Sequence, residues 1–79
     1  MKQFEGKTLG YMARRSGFRL KGYRVYALQD PEDQNGVRIG EEYELGRILQ
    51  EHPELRRSRI VRIEDHFGLT ILRVRGKQT

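Results

Sequence analysis

The fold of this chain is decided by the stretch RIVRIEDHFGLTILRVR at residues 59–75. Its two halves are rich in β-branched residues that are interleaved with charged ones, as in partly buried strands. Residues 65–68 between them, Asp-His-Phe-Gly, are typical of a turn. We therefore predict a hairpin whose strands are Arg59–Glu64 and Leu69–Arg75.

A second hairpin is predicted upstream. Phe18–Gln29 has aromatic and β-branched residues alternating with basic ones, which indicates extended chain. The alternation slips at Gly22, where a bulge or bend would explain the change. Asp30–Gly36 has a strong turn composition, and Val37–Ile39 returns as a short strand.

Two helices precede and separate the hairpins. Thr8–Ser16 begins at a capping residue and stops at Gly17. Glu41–His52 is the second helix, and Pro53 either ends it or starts a short further helix through residues 54–57. The apolar residues with helical spacing are Leu9, Met12 and Ala13 in the first helix and Leu45, Ile48 and Leu49 in the second.

These elements predict one α+β domain over residues 1–79, in the order α-β-β-α-β-β. The economical packing is an antiparallel sheet of three to four strands with two or three short helices on one face. Gly46 lies inside the second helix, where glycine costs about 1 kcal/mol relative to alanine. We expect another element to pack closely against it.

Composition excludes several classes of function. The chain has no cysteine, which removes disulfides, Cys-ligated metals and thiol catalysis. No apolar run approaches the ~18 residues of a membrane span, and the first residues lack the apolar stretch of a signal peptide, so a cytoplasmic location is expected. His52 and His66 are far apart and no nucleophile motif is present. We expect no enzyme activity, no metal site and no cofactor.

Charge is segregated along the chain. Residues 1–24 carry a net charge of +6, residues 25–55 of −6, and residues 56–79 of +5. The chain has twelve arginines and only four lysines. Arginine forms bidentate contacts with phosphate and stacks on bases, whereas lysine does neither well. The pattern favours a partner that carries phosphate.

The first functional hypothesis is a non-enzymatic module that binds nucleic acid through an arginine-rich sheet face or rim. Tyr23 and Tyr26 lie among the arginines and could stack on bases. The alternative is a solvated sheet face whose arginines pair with Glu64 or with the acidic segment. The candidate binding residues are Arg14, Arg15, Arg19, Lys21, Arg24, Arg56, Arg57, Arg59, Arg62, Arg73 and Arg75.

The second hypothesis is a phage or mobile-element inhibitor or adaptor that binds a host protein complex, one that acts in defence or handles nucleic acid. Its contact residues would be Glu41, Glu42 and Glu44, which would bind a basic groove of the partner, or else the basic segments would bind an acidic one. The segregation of charge would also allow a homodimer. No membrane partner is expected.

A partial resemblance bears on the second hypothesis. The chain has an Ala-x-Arg-x-Gly helix end at residues 13–17, the basic stretch Arg-Leu-Lys at 19–21 and a Tyr-x-Leu-x-Asp strand at 26–30. This succession resembles small uncharacterised proteins of bacterial and phage genomes over about 40 residues. The resemblance implies an accessory or mobile-element role and no active site. It does not extend to the hairpin at residues 59–75.

Overall fold

The computed structural model describes residues 4–16, 22–30, 32 and 35–74. Within them the elements follow the expected order of helix, hairpin, helix and hairpin. They are α1 (Leu9–Ser16), β1 (Arg24–Ala27), β2 (Val37–Glu41), the 3-10 helix η1 (Glu42–Glu44), α2 (Leu45–Glu51), the 3-10 helix η2 (Pro53–Arg57), β3 (Ile60–Glu64) and β4 (Thr70–Arg73). The predicted α+β class is confirmed.

The four strands form one antiparallel sheet in the order β2-β1-β3-β4. The two hairpins are therefore joined through the pairing of β1 with β3, in which Val25 lies opposite Ile63. In this strand order, β2 and β4 are the edge strands of the sheet. It also brings the first and last thirds of the sequence together at the centre of the sheet.

The core lies between one face of this sheet and the helices. Val25 and Ala27 of β1 are fully buried, while Arg24 and Tyr26 are partly exposed, as side chains alternate along a strand. The other buried residues of this cluster are Phe4, Leu9, Met12, Leu45, Leu49, Ile60, Ile63 and Leu72. The opposite face of the sheet, which we call the outer face, lies away from the helices.

The segment before α1 is tied to the chain just before β3. The Leu9 amide donates to the Ser58 carbonyl at 2.9 Å, and the Ile60 amide donates to the Lys7 carbonyl at 2.9 Å. Phe4 is only 1% exposed, which the sequence did not lead us to expect. Thr8 caps α1 as predicted, because its Oγ1 accepts a hydrogen bond from the Tyr11 amide at 3.2 Å.

The predicted helix over Glu41–His52 is divided in two. Glu41 is the last residue of β2, Glu42–Glu44 form the 3-10 helix η1, and only Leu45–Glu51 is α-helical. The Glu42 amide donates to the Tyr23 carbonyl at 2.8 Å, and the Glu44 carboxylate accepts from the Glu41 amide at 2.9 Å. The first contact holds η1 against the beginning of β1, and the second caps η1 itself. Pro53 starts a further short helix, η2, which is one of the two predicted outcomes.

Our expectation for Gly46 is wrong. It is exposed, and a Cβ built on it would meet nothing within 4 Å. Of the two helical glycines, Gly10 is the one that is closely approached. A Cβ there would lie 3.2 Å from the Arg56 carbonyl oxygen, because α1 packs against η2 at this point.

Both predicted turns hold their glycines at positive φ. In the second, the Asp65 carboxylate accepts from the Phe67 and Leu69 amides, each at 2.9 Å, so the predicted turn is confirmed. Gly22 lies in a bend with φ of 80°, as the slipped alternation indicated. The predicted helix stop at Gly17 and the strand residues 18–21 lie outside the described residues, as does position 75.

Candidate nucleic-acid interface

The outer face of the sheet carries a row of basic side chains around a tyrosine. Tyr26 at the centre of β1 lies opposite Arg38 of β2 on one side and Arg62 of β3 on the other. Arg62 in turn lies opposite Arg73 of the edge strand β4. Basic residues from the first and last charge segments therefore meet on this face, since Arg24 is also part of β1.

Carboxylates neutralise much of this row. The Glu64 carboxylate lies 2.6 Å from Arg62 Nη1 and 3.7 Å from Arg24 Nη1, and it accepts from the Tyr26 hydroxyl at 3.3 Å. Arg38 lies 3.9 Å from the Glu41 carboxylate. These contacts agree with the alternative of an internally paired, solvated face. Arg73 is exposed and is the one arginine of the row that forms no ion pair within the described residues.

The two tyrosines expected to stack on bases are otherwise engaged. The Arg62 guanidinium lies 3.8 Å from the centroid of the Tyr26 ring and covers one of its faces. Tyr23 is partly buried and packs against the core. The sheet face thus offers neither an open aromatic platform nor a strong positive field.

Glu64 is expected to stabilise the fold through this network. Replacing it in a Glu64→Gln variant should lower the free energy of unfolding by about 1–3 kcal/mol, because Arg62 and Arg24 lose a charged acceptor. Urea unfolding measures the change. The control is Glu54→Gln, whose exposed carboxylate lies 3.7 Å from His52 and should contribute no more than about 0.5 kcal/mol. Equal small losses in both variants would contradict a structural role for the Glu64 network.

A second basic region lies in the helical layer, and we call it the α1–η2 surface. It consists of exposed basic side chains on the segment before α1, the last turn of α1, and η2 with the residues after it. Its members are Lys7, Arg14, Arg15, Arg56, Arg57 and Arg59. Within the described part of the chain, none of them forms an ion pair with a carboxylate.

Several contacts bring these segments together. Gly10 allows the backbone of α1 to approach Arg56 of η2, and Arg14 follows Gly10 by one helical turn of about 6 Å. Arg59 Nη1 donates to the Gly6 carbonyl at 2.6 Å, which fixes it beside the segment before α1. The six side chains consequently project from neighbouring pieces of backbone.

Tyr11 organises one side of this surface. Lys7 Nζ lies 5.1 Å and Arg15 Cζ 4.6 Å from its ring centroid. Arg15 is four residues after Tyr11 on the same helix face, whereas Lys7 reaches the ring from the segment before α1. Phe4 meets the same ring edge-on, with the centroids 6.3 Å apart. Lys7 was not among our sequence candidates, although its spacing from Tyr11 and Arg15 could have indicated it.

The structure thus separates the sequence candidates into two groups. Five lie on the α1–η2 surface, namely Arg14, Arg15, Arg56, Arg57 and Arg59. Three lie on the sheet, namely Arg24, Arg62 and Arg73. The remaining three, Arg19, Lys21 and Arg75, lie outside the described residues.

The acidic contact set of the second hypothesis is only partly available. Glu42 is 2% exposed, because η1 turns it inward, so its carboxylate does not present itself to a partner. Glu41 and Glu44 remain partly exposed on either side of Tyr43. Their negative charges, Glu41 first, raise the pKa of the Tyr43 hydroxyl above its usual value. A protein partner for this region stays a prediction.

Other features of the described residues add no further site. They contain no group of three or more His, Cys, Asp or Glu side chains that could hold a metal ion. None of their helices is long and apolar enough to cross a membrane. No known protein family, curated protein or solved structure matches this chain.

Proposed function

We propose that this protein binds the phosphate backbone of nucleic acid through the α1–η2 surface. The observation that carries the proposal is the set of six exposed basic side chains that no described carboxylate neutralises. Arginines that are already paired, such as Arg24 and Arg62, would have to give up Glu64 before they could bind phosphate. Those of the α1–η2 surface have no competing carboxylate among the described residues.

The chemistry of these residues suits phosphate. Five of the six are arginines, whose planar guanidinium forms two parallel hydrogen bonds with a phosphate. Each phosphate that they neutralise releases condensed counterions into solution, and this release drives association. The contribution depends on salt and is independent of base sequence.

Contact with the backbone is favoured over contact with the bases. Binding to single strands usually gains about 1–3 kcal/mol for each base that stacks on an aromatic side chain. On the α1–η2 surface the only aromatic ring described is Tyr11, which is half-buried between Lys7, Arg15 and Phe4. We therefore expect duplexes, with their higher density of charge, to bind at least as tightly as single strands.

Affinity for a generic duplex should fall steeply with salt. If all six side chains contact phosphates, the logarithm of the binding constant should fall with a slope of about −5 against the logarithm of the salt concentration. Fluorescence anisotropy with a labelled duplex, between low and physiological salt, measures the slope. A duplex of unrelated sequence is the control and should give the same slope. Absence of binding at low salt, or binding that does not respond to salt, would overturn the proposed function.

A further inference from the structure

The ring of Tyr11 is fixed on the α1–η2 surface from two directions. Phe4, which is only 1% exposed, meets it edge-on with an angle of 80° between the two planes. The Tyr11 amide donates to Thr8 Oγ1 at 3.2 Å, and the ring packs against the core. Side chains that contact this ring therefore have a partner whose place is set by the fold.

Two exposed cations contact the ring. Lys7 Nζ and Arg15 Cζ both lie within the distance of about 6 Å at which an aromatic ring attracts a cation. The backbone of Lys7 is also held, because its amide donates to the Phe4 carbonyl at 3.1 Å and its carbonyl accepts from the Ile60 amide at 2.9 Å. Arg15 belongs to the last turn of α1. Both cations thus project from hydrogen-bonded backbone toward one fixed ring.

A ring holds a cation without using up its hydrogen bonds to anions. It attracts the charge through its π-electrons, so the N–H groups of the cation stay available to phosphate oxygens. Arg62 shows the contrast, since it covers the ring of Tyr26 but also donates from Nη1 to Glu64 at 2.6 Å. Lys7 and Arg15 form no ion pair with a carboxylate of the described residues.

We propose that Tyr11 is a positioning residue for phosphate, which holds Lys7 and Arg15 in place for the nucleic-acid backbone. This inference rests on the proposed function. Ordering a long side chain on binding lowers the affinity by a factor of about 2–10. A side chain that the ring already holds avoids much of this loss, so it contributes more to binding than an unheld neighbour of the same charge.

Arg14 is the matched control for Arg15. Both are exposed arginines in the last turn of α1, and Arg15 is the one that lies over Tyr11. Arg14→Gln removes one phosphate contact and should weaken duplex binding about fivefold at physiological salt. Arg15→Gln should weaken it about fifteenfold, because it also removes a side chain that is ordered before binding. Equal losses, measured by fluorescence anisotropy, would overturn the positioning role.

A double-mutant cycle assigns this difference to Tyr11. In a Tyr11→Leu background, Arg15→Gln should weaken binding only about fivefold, which is a coupling of about threefold. Arg14→Gln should cause the same loss in both backgrounds. If Tyr11→Leu coupled equally to both arginines, it would act by loosening α1 as a whole, and the proposal would be wrong.

Rescue by phenylalanine separates the ring from simple apolar packing. Tyr11→Leu should weaken binding about tenfold with the salt slope still about −5, because both cations lose their support while the number of phosphate contacts is unchanged. Tyr11→Phe keeps the ring face and should bind within about twofold of the native chain. Binding by Tyr11→Phe as weak as that of Tyr11→Leu would contradict the proposal.

Proton NMR of the native chain provides a measurement that needs no variant. Protons held over a ring face resonate upfield, so we expect upfield shifts for the Arg15 δ-methylene and the Lys7 ε-methylene groups and none for Arg14. Shifts typical of an unfolded chain at Lys7 and Arg15 would overturn the positioning role even if Tyr11→Leu failed to fold.

The outcomes for Tyr11 and for the proposed function can be told apart. Salt-dependent duplex binding by the native chain, together with equivalent effects of Arg14→Gln and Arg15→Gln, would overturn the positioning role alone. Absence of duplex binding by the native chain at low salt would overturn both.

Discussion

A variant in which Arg14, Arg15, Arg56 and Arg57 are all replaced by glutamine is expected to bind duplex DNA about a thousandfold more weakly than the native chain at 0.15 M salt. Each phosphate contact contributes about fivefold through counterion release at this concentration. All four side chains are exposed, and none forms an ion pair within the described residues. The fold should therefore tolerate the change, which a circular dichroism melt would verify.

Two double variants with the same change in net charge separate a localised surface from general attraction. Arg56→Gln/Arg57→Gln should weaken binding about thirtyfold and reduce the salt slope by about 2. Arg38→Gln/Arg47→Gln removes two arginines that are paired with Glu41 and Glu44, and it should change affinity less than threefold. Equal losses in the two variants would show that only net charge matters, and the α1–η2 surface would no longer be the binding site.

The largest effect on stability is expected at Gly36, in the turn before β2. Gly36 has φ of 80°, and a Cβ there would overlap Val61 Cγ2 and lie 3.0 Å from the Ala27 carbonyl oxygen. Left-handed backbone costs about 1–2 kcal/mol for other residues, and overpacking adds about 1–3 kcal/mol. Gly36→Ala should thus lower the free energy of unfolding by about 3 kcal/mol and the melting temperature by about 15 °C.

Gly46→Ala is the matched control, because it makes the same chemical change where nothing obstructs the methyl group. Gly46 lies in α2, where alanine is preferred to glycine by about 1 kcal/mol. The two alanine variants should therefore shift the midpoint of urea unfolding in opposite directions. A shift in the same direction would mean that the close approach of Val61 to Gly36 does not constrain the turn.

The fold could be predicted where local chemistry determines it. Thr8 caps a helix, Asp65 organises a turn, and Pro53 starts a short helix, and each of these effects involves residues within a few positions of one another. The burial of Phe4 could not be predicted, because it depends on hydrogen bonds between the first residues of the chain and the chain near Ser58. The outward orientation of Gly46 likewise depends on how α2 rotates against the core.

The candidate binding residues could likewise be predicted only in part from the sequence. The segregation of charge pointed to arginines from both ends of the chain, and residues from both ends do meet on the sheet. Which of them stay unpaired depends on strand register, because Glu64 reaches Arg62 on its own strand and Arg24 on the next one. A sum of charges along the sequence cannot distinguish an arginine that a carboxylate already holds from one that is open to phosphate.

The hydrogen bonds between the segment before α1 and the chain at Ser58 and Ile60 can form only late in biosynthesis. At about 5–20 residues per second, roughly 3–10 s separate the synthesis of Leu9 from that of Ile60. Throughout this interval the core that Phe4, Leu9 and Met12 join is incomplete, because Ile60, Ile63 and Leu72 have not yet been made. The nascent chain therefore carries an exposed apolar segment that chaperones can recognise, and a chain that terminates early, before Ile60, would keep it exposed permanently.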